Sequence, residues 1–239
     1  MILITRPKNE SYKLKDEISS LGFDVHIKSL SQFKLKDNPL VIDKKSIVMI
    51  SSPRAANFII ESSKMMKSTP LLIIGRSSYI KLNQSGFTNI IHTSKNSNEM
   101  FTYLKKNLSI FFDKEKFDSL LYLTGSVFNK SFVRQLEEIK IKKIVVYETS
   151  FIKKFDSLTI KLIRSQRIKV CLLFSQANAK HFVKLLHFHN LQSFAQKIIF
   201  LSLSKNISQI MIDAGFENSI FSNQPNQKSL TDKLQKLRV

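Results

Sequence analysis

The stretch that decides the fold is "SIVMISSPRAANFII", residues 46–60. Its apolar run, Ile47 to Ile50, is rich in β-branched residues and is typical of a buried strand. Ser52 suits a helix N-cap and Pro53 suits the first helical position. The stretch predicts a parallel strand that feeds a helix, whose free N–H groups commonly meet anionic ligands. Ordinary helix capping without a ligand is the alternative interpretation.

The charge of the chain points to a polyanionic partner. The 239 residues carry 38 Lys and Arg against 18 Asp and Glu, a net charge of +20. Nucleic acid, an anionic membrane surface, or a small molecule with many carboxylates or phosphates would fit. A compositional bias toward Lys, Asn, Ile and Phe is the alternative explanation for part of the charge.

Several functional classes are disfavoured by what the sequence lacks. The single cysteine, Cys171, excludes an internal disulfide, and the five histidines show no metal-ligand spacing. No apolar run approaches the roughly 18 residues that span a bilayer. The phosphate-binding patterns GxGxxG and GxxxxGK[ST] are absent, which counts against a dinucleotide or NTP enzyme. We expect a cytoplasmic protein with no metal, no cofactor and no membrane association.

Strand-like and helix-like segments alternate along the chain, which predicts an α/β architecture with parallel sheets. Ten strands fit two five-stranded sheets better than one. The predicted strands are Ile2–Thr5, Val25–Leu30, Ile47–Ile50, Leu71–Ile74, Asn89–His92, Leu120–Leu123, Ile144–Tyr147, Val170–Phe174, Ile198–Leu203 and Ser219–Phe221.

The chain repeats itself out of order, which predicts two domains. The paired segments are 48–59 with 171–182, 75–92 with 204–221, and 120–139 with 1–21. The equivalents in the second copy therefore begin near residue 170, run past the C-terminus and resume at residue 1. The predicted continuous domain is 36–149, and the predicted discontinuous domain joins 1–30 with 154–239. Two linker strands, 30–38 and 148–156, are predicted to pair as an antiparallel ribbon.

Seven segments, in this order, resemble the uroporphyrinogen-III synthase family. They are "ILITRP" (2–7), "SSPRAANF" (51–58), "IGRSSYIKLNQSGF" (74–87), "LLYLTG" (120–125), "KIVVYETS" (143–150), "LLFSQANAKHF" (172–182) and "LSKNISQIMIDAGF" (203–216). The resemblance implies two flavodoxin-like parallel-sheet domains, joined by the two-stranded linker ribbon, with the substrate in a cleft between them.

The resemblance also implies an activity. The family cyclises hydroxymethylbilane, a linear tetrapyrrole, to uroporphyrinogen III with inversion of ring D and loss of water. This would be a lyase of haem biosynthesis that needs no metal or cofactor, and we expect a monomer. The acetates and propionates of such a substrate would be a second explanation for the positive charge. The work of the protein would be mostly orientation and electrostatic shielding of a cationic intermediate.

Tyr147, in "VVYET", is the candidate catalytic residue, because it matches the family's tyrosine at the end of a strand that faces the cleft. Its phenol would donate a proton or a hydrogen bond to the departing hydroxyl. The alternative is a tyrosine that caps the sheet edge with its hydroxyl in water.

The predicted substrate-binding residues lie at strand ends and first helical turns, where hydroxyls, N–H groups and guanidinium groups bind carboxylates. Gln176 stands where the family usually has proline, and the turn at Ser204 lacks the threonines of many members. The predicted contacts are Ser51, Ser52, Arg54, Gly75, Arg76, Ser77, Thr5, Arg6, Thr124, Gly125, Ser175, Gln176, Ser204, Lys205 and Asn206.

Two other functional classes remain open from the sequence. A basic α/β protein that binds nucleic acid would concentrate its charge on one element with interleaved aromatic residues, whereas here the lysines are spread along the chain. A two-lobed polyanion sensor without catalysis would need the same anion-lined cleft as the enzyme.

Overall fold

A computed structural model describes residues 1–36, 42–43, 45–62, 66–112, 117–139 and 141–237. The chain divides into two compact units. Unit 1 combines Met1–Gln32 with Ser150–Val239, and unit 2 is Phe33–Thr149.

Strands and helices alternate through most of the chain. The strands are β1 (Ile2–Ile4), β2 (Val25–Ile27), β3 (Ser31–Leu35), β4 (Ser46–Ile50), β5 (Leu71–Ile74), β6 (Ile90–Ser94), β7 (Ser119–Gly125), β8 (Lys142–Phe151), β9 (Val170–Leu173), β10 (Ile199–Ser202) and β11 (Ser219–Phe221). The helices are α1 (Lys8–Ser20), α2 (Pro53–Glu61), α3 (Arg76–Gln84), α4 (Ser97–Phe112), α5 (Lys130–Glu138), α6 (Ser157–Arg164), α7 (Gln176–Phe188), α8 (Gln192–Ala195), α9 (Lys205–Asp213) and α10 (Gln227–Gln235).

The two sheets share one strand order once the chain order is permuted. The sheet of unit 1 runs β11-β10-β9-β1-β2, and its neighbouring strands are parallel. The second sheet runs β3-β8-β7-β4-β5-β6, with parallel pairing from β8 to β6. Counted from β1 and from β7, both read 2-1-3-4-5, the flavodoxin-like order. The sequence repeat is out of order because β7 and β8 follow β4 to β6 in the chain, whereas their equivalents β1 and β2 precede β9.

Helices on both faces of the sheet explain the continuous apolar run of β4. Ile47 and Met49 pack into the cluster on one face, and Val48 and Ile50 pack into the cluster on the other. All four side chains are fully buried. Because both faces of this strand are covered, none of its side chains faces solvent and apolar residues need not alternate with polar ones. The continuous apolar run in the sequence is therefore a consequence of the layered fold.

The predicted α/β class with parallel sheets is confirmed, and each of the ten predicted strands is present with small shifts at its ends. The prediction of two five-stranded sheets is wrong, because the second sheet has β3 as a sixth strand. The alternating pattern of residues 31–35 is that of an edge strand, half-buried against β8. The N–H of Lys36 donates to the carbonyl of Val146, and the N–H of Ile152 donates to that of Leu30, so β3 runs antiparallel to β8.

That the two linker strands form a ribbon joining two domains stays a prediction. Its predicted segments include β3 and the end of β8, which are neighbours in the six-stranded sheet. Residues 152–156 of the second segment are not in a strand, and residues 37–38 of the first lie outside the described residues.

Candidate functional site

The turn between β4 and α2 combines a serine cap with a half-buried pair of hydroxyls. Ser52 has extended backbone angles, and its Oγ accepts a hydrogen bond from the N–H of Ala55 at 3.1 Å. Pro53 begins the helix, where its missing N–H costs nothing. The turn lies at the carboxyl end of a central strand, which is the usual place for ligands in open α/β sheets.

Two tyrosines reach this turn from opposite faces of the sheet. The phenol oxygen of Tyr122 on β7 lies 2.5 Å from Ser51 Oγ, and that of Tyr147 on β8 lies 3.1 Å from Ser52 Oγ. Tyr122 packs with Met49 on one face, and Tyr147 packs in the cluster on the other. Both rings are buried, with 3% and 6% of their surface exposed. Four hydroxyls therefore meet at the end of β4.

Gly125 makes room for the ring of Tyr147. A Cβ atom built on Gly125 would lie 2.3 Å from Tyr147 Cε2 and 2.4 Å from its Cζ. Such distances are far inside van der Waals contact, so any larger residue would displace the ring. The close neighbour that requires a glycine here is therefore the proposed catalytic tyrosine.

Phe33 links two of the predicted site residues. The guanidinium carbon of Arg54 lies 3.5 Å from the centroid of the Phe33 ring, a cation–π stack. The same ring meets Tyr147 edge-on, with 6.1 Å between centroids and 76° between planes. Phe33 therefore contacts both Arg54 and Tyr147 from the edge strand β3.

The phenol of Tyr122 stays protonated near neutral pH. Burial raises the pKa of Tyr122 above its ordinary value of 10.0, and hydrogen bonds with Ser51 and Thr124 only partly offset the rise. A protonated phenol can donate a hydrogen bond to a neighbouring oxygen.

The turn after β5 places three more predicted residues at a helix N-terminus. Gly75 adopts a φ of 93°, which is accessible mainly to glycine, and its N–H donates to the carbonyl of Ser94 at 2.9 Å. Arg76 and Ser77 are exposed in the first turn of α3. Ser78, which follows them, is 1% exposed, and its hydroxyl has no hydrogen-bond partner among the described residues.

The predicted residues after β1 in unit 1 are already engaged within the protein. Thr5 is fully buried and donates to the carbonyl of Leu172 at 2.6 Å. Arg6 pairs with Glu10, donates to Gln227 Oε1 at 3.0 Å, and stacks 4.7 Å above the Phe174 ring. A ligand that binds Arg6 would share it with these partners.

The remaining predicted residues of unit 1 lie at two helix starts. Ser175 is exposed, and its Oγ accepts from the N–H of Asn178 at 3.2 Å, while Gln176 is exposed at the first position of α7. At α9, Ser204 occupies the N-cap position without a side-chain capping bond. Lys205 and Asn206 follow it, exposed in the first turn.

The structure therefore brings one group of predicted residues close together in unit 2: Ser51, Ser52, Arg54, Thr124, Gly125 and Tyr147. Sequence reasoning missed Tyr122 and Phe33, which contact members of this group. The available signal for Tyr122 was a phenol inside the apolar strand "LLYL", where a buried hydroxyl needs a partner. Phe33 gave no such signal, because one aromatic residue in an alternating segment is common.

Within the described part of the chain, no cluster of three or more His, Cys, Asp or Glu side chains has the arrangement of a metal site. Over the same residues, no helix has both the length and the apolar character needed to cross a bilayer.

Comparisons with known proteins identify the family. A family model described as Uroporphyrinogen-III synthase HemD matches residues 13–232. The crystal structure of uroporphyrinogen-III synthetase from Helicobacter pylori is similar over 99% of both chains, with 18% identity and a TM-score of 0.62. A mutant uroporphyrinogen III synthase from the extremely thermophilic bacterium Thermus thermophilus is similar over 99% of this chain and 98% of its own, with 8% identity and a TM-score of 0.67.

A comparison with curated proteins finds no match. The two solved structures show the fold, and the family model, which spans most of the chain, decides the family. The protein belongs to the uroporphyrinogen-III synthase family, whose members are enzymes of haem biosynthesis.

Proposed function

We propose that the protein is a lyase that cyclises hydroxymethylbilane to uroporphyrinogen III, with inversion of ring D and loss of water. The observation that carries the proposal is the family match over residues 13–232. The hydroxyl-lined turn between β4 and α2 supports it, because that turn offers donors to a polycarboxylate. A nucleic-acid-binding protein and a non-catalytic sensor are not favoured by the family match.

The substrate would bind through its carboxylates. The Ser51 hydroxyl and the guanidinium of Arg54 are both donors near one strand end, at the positive dipole end of α2. The stack on Phe33 limits the orientations of the Arg54 plane, so a carboxylate would meet a partly ordered donor. The net charge of +20 would also raise the local concentration of a polyanion.

Tyr147 would assist the departure of the hydroxyl group. Ser52 Oγ already accepts from Ala55, so it retains one proton and one lone pair. If Ser52 donates that proton to Tyr147, the phenol O–H is left to donate to the leaving oxygen. Loss of water gives a cationic azafulvene, which the last ring attacks through its substituted carbon to form a spiro intermediate. The original bridge bond to that carbon then breaks, and the ring recloses through its unsubstituted carbon in the reversed orientation with loss of a proton.

The residues of unit 1 remain proposed substrate contacts, each argued from its own turn. They are Thr5, Arg6, Ser175, Gln176, Ser204, Lys205 and Asn206. Gly75, Arg76 and Ser77 of unit 2 are also proposed substrate contacts. A monomeric state, a cytoplasmic location and the absence of a cofactor are also proposals.

The test is an isomer assay. Purified protein receives freshly prepared hydroxymethylbilane, the products are oxidised, and uroporphyrins I and III are separated and quantified. We expect isomer III to dominate and to form in proportion to the enzyme concentration. Formation of isomer I alone, at the rate seen without protein, would refute the proposed activity.

A further inference from the structure

Tyr122 is a buried phenol whose place in the sheet does not require a hydroxyl. Its backbone partner is Met49, three residues before the cap Ser52. In unit 1 the matching pair is Ile4 with Leu172, three residues before the cap Ser175. Ile4 is apolar and fully buried. A hydrophobic side chain therefore satisfies this position, and the tyrosine of unit 2 needs a separate explanation.

The hydrogen bond of Tyr122 reaches a residue predicted to bind substrate. Its Oη lies 2.5 Å from Ser51 Oγ. Each of these two hydroxyls has one proton. If Tyr122 donates to Ser51, the buried phenol proton has an acceptor, and the Ser51 proton is left for an acceptor outside the chain.

Ser51 is suited to use that proton. It is half-buried, so ligand atoms have access to it, and it precedes the N-cap of α2, where the positive end of the helix dipole favours an anion. A serine hydroxyl normally rotates among several orientations. Donation from Tyr122 removes one of these choices and so orders the donor before a ligand arrives.

We propose that Tyr122 is a positioning residue, whose phenol holds the Ser51 hydroxyl as a donor to a carboxylate of the substrate. This inference rests on the proposed function. Tyr122 itself does not touch the substrate, so its effect on turnover is transmitted entirely through Ser51.

A double-mutant cycle tests this transmission. The variants are Tyr122→Phe, which keeps the ring, Ser51→Ala, and the two combined. We expect each single variant to lower kcat/KM roughly tenfold, mainly by raising KM, as expected for a lost hydrogen bond to a charged group. In the Ser51→Ala background, Tyr122→Phe should change kcat/KM by less than about twofold.

A matched control separates positioning from stability. Tyr103→Phe makes the same chemical change in unit 2, at a ring that stacks on His92 with 3.7 Å between centroids. It should leave KM unchanged. Urea unfolding of all variants should show no correlation between lost stability and raised KM. Ser51→Ala removes the donor itself, so its effect sets the largest loss that Tyr122→Phe can cause through Ser51, and a larger loss in Tyr122→Phe would also overturn the inference.

The possible outcomes distinguish a failure of this inference from a failure of the proposed function. Equal losses from Tyr122→Phe in the wild-type and Ser51→Ala backgrounds overturn the inference, as does an unchanged KM for Tyr122→Phe in an enzyme that forms isomer III. Wild-type protein that forms only isomer I overturns the proposed function, and this assignment with it.

Discussion

The turn between β4 and α2 in unit 2 and the turn between β9 and α7 in unit 1 occupy the same place in sheets of the same strand order. Both end in a serine cap. Ser52 accepts from Ala55, and Ser175 accepts from Asn178, at 3.1 and 3.2 Å. Because capping is common to both turns, a serine at this position does not by itself identify a catalytic site.

The neighbours of the two caps differ. In unit 2, hydroxyls of Tyr122 and Tyr147 contact the serine pair. In unit 1, the position of Ser51 is taken by Phe174, whose ring supports Arg6, and Asn178 replaces Ala55. The Asn178 amide donates to the carbonyl of Thr5 at 3.4 Å and accepts from the Ser31 hydroxyl at 3.3 Å.

The same kind of turn serves a different purpose in each unit. In unit 1 the buried amide of Asn178 is satisfied by partners inside the protein, which stabilises the turn. In unit 2 the hydroxyls of Ser51 and Ser52 keep protons and lone pairs beyond those that the cap uses. Variants can test whether these additional donors and acceptors take part in the reaction.

Tyr147→Phe should have the largest effect. Removing the phenol removes the proposed proton donor, and general acid catalysis is typically worth about 100-fold or more in rate. We expect kcat for isomer III to fall roughly 100-fold, and the free energy of unfolding to change by about 1 kcal/mol or less. Isomer-resolved kinetics and urea unfolding measure both. Turnover equal to that of the wild type would remove Tyr147 from the chemistry.

Gly125→Ala should destabilise the protein by about 1–3 kcal/mol, the usual cost of overpacking a core. The added Cβ would lie 2.3 Å from the Tyr147 ring. Urea unfolding gives the cost, and the activity should fall because the ring moves away from Ser52. In a Tyr147→Ala background the same substitution should cost less than about 0.5 kcal/mol. An undiminished cost there would show that Gly125 is needed for another reason.

Ser52→Ala and Ser175→Ala compare the two caps directly. Each should lower the free energy of unfolding by about 1 kcal/mol, since each loses one capping bond. Only Ser52 also contacts Tyr147, so Ser52→Ala should lower kcat. Ser175→Ala should affect KM alone. Steady-state kinetics with thermal unfolding distinguish these effects, and a loss of kcat in both variants would contradict the difference between the turns.

The smallest expected effect is a pH dependence of unit 1. Asp156 caps α6, accepting from the N–H of Thr159 at 2.8 Å, and pairs with the Lys28 ammonium at 2.5 Å. Burial alone would raise the pKa of Asp156, but the bonds from Lys28 and Thr159 outweigh burial and lower it to about 2. Because the folded pKa lies below the unfolded value, this stabilisation is present above about pH 4 and is lost as the pH falls toward 2.

The size of this acid effect should be below about 1 kcal/mol, because the Asp156 side chain is 49% exposed and solvent screens the pair. Asp156→Asn keeps a capping oxygen and removes the titration. Comparing the stability of wild type and variant between pH 4 and pH 2 isolates the contribution. A difference between the two that does not change over this range would contradict the linkage.

Much of the fold could be predicted because its signals are local. The apolar run before Ser52, the cap itself and Pro53 specify a strand, a turn and a helix within a few residues. Edge strand β3 was not predicted as part of a sheet, since its alternating pattern also suits a linker. Its place in the six-stranded sheet depends on pairing with β8, which lies far along the chain.

The sequence by itself determined the α/β class, the out-of-order repeat and the family resemblance, because periodicity, caps and ordered motifs are written in adjacent residues. Only the tertiary structure placed Tyr122 against Ser51, 71 residues away, the ring of Phe33 against Arg54, and Gly125 beneath Tyr147. It also showed that Arg6, predicted as a substrate contact, already donates to Gln227 and stacks on Phe174. Such partners depend on which strands are neighbours and which face each side chain takes, and no local pattern encodes them.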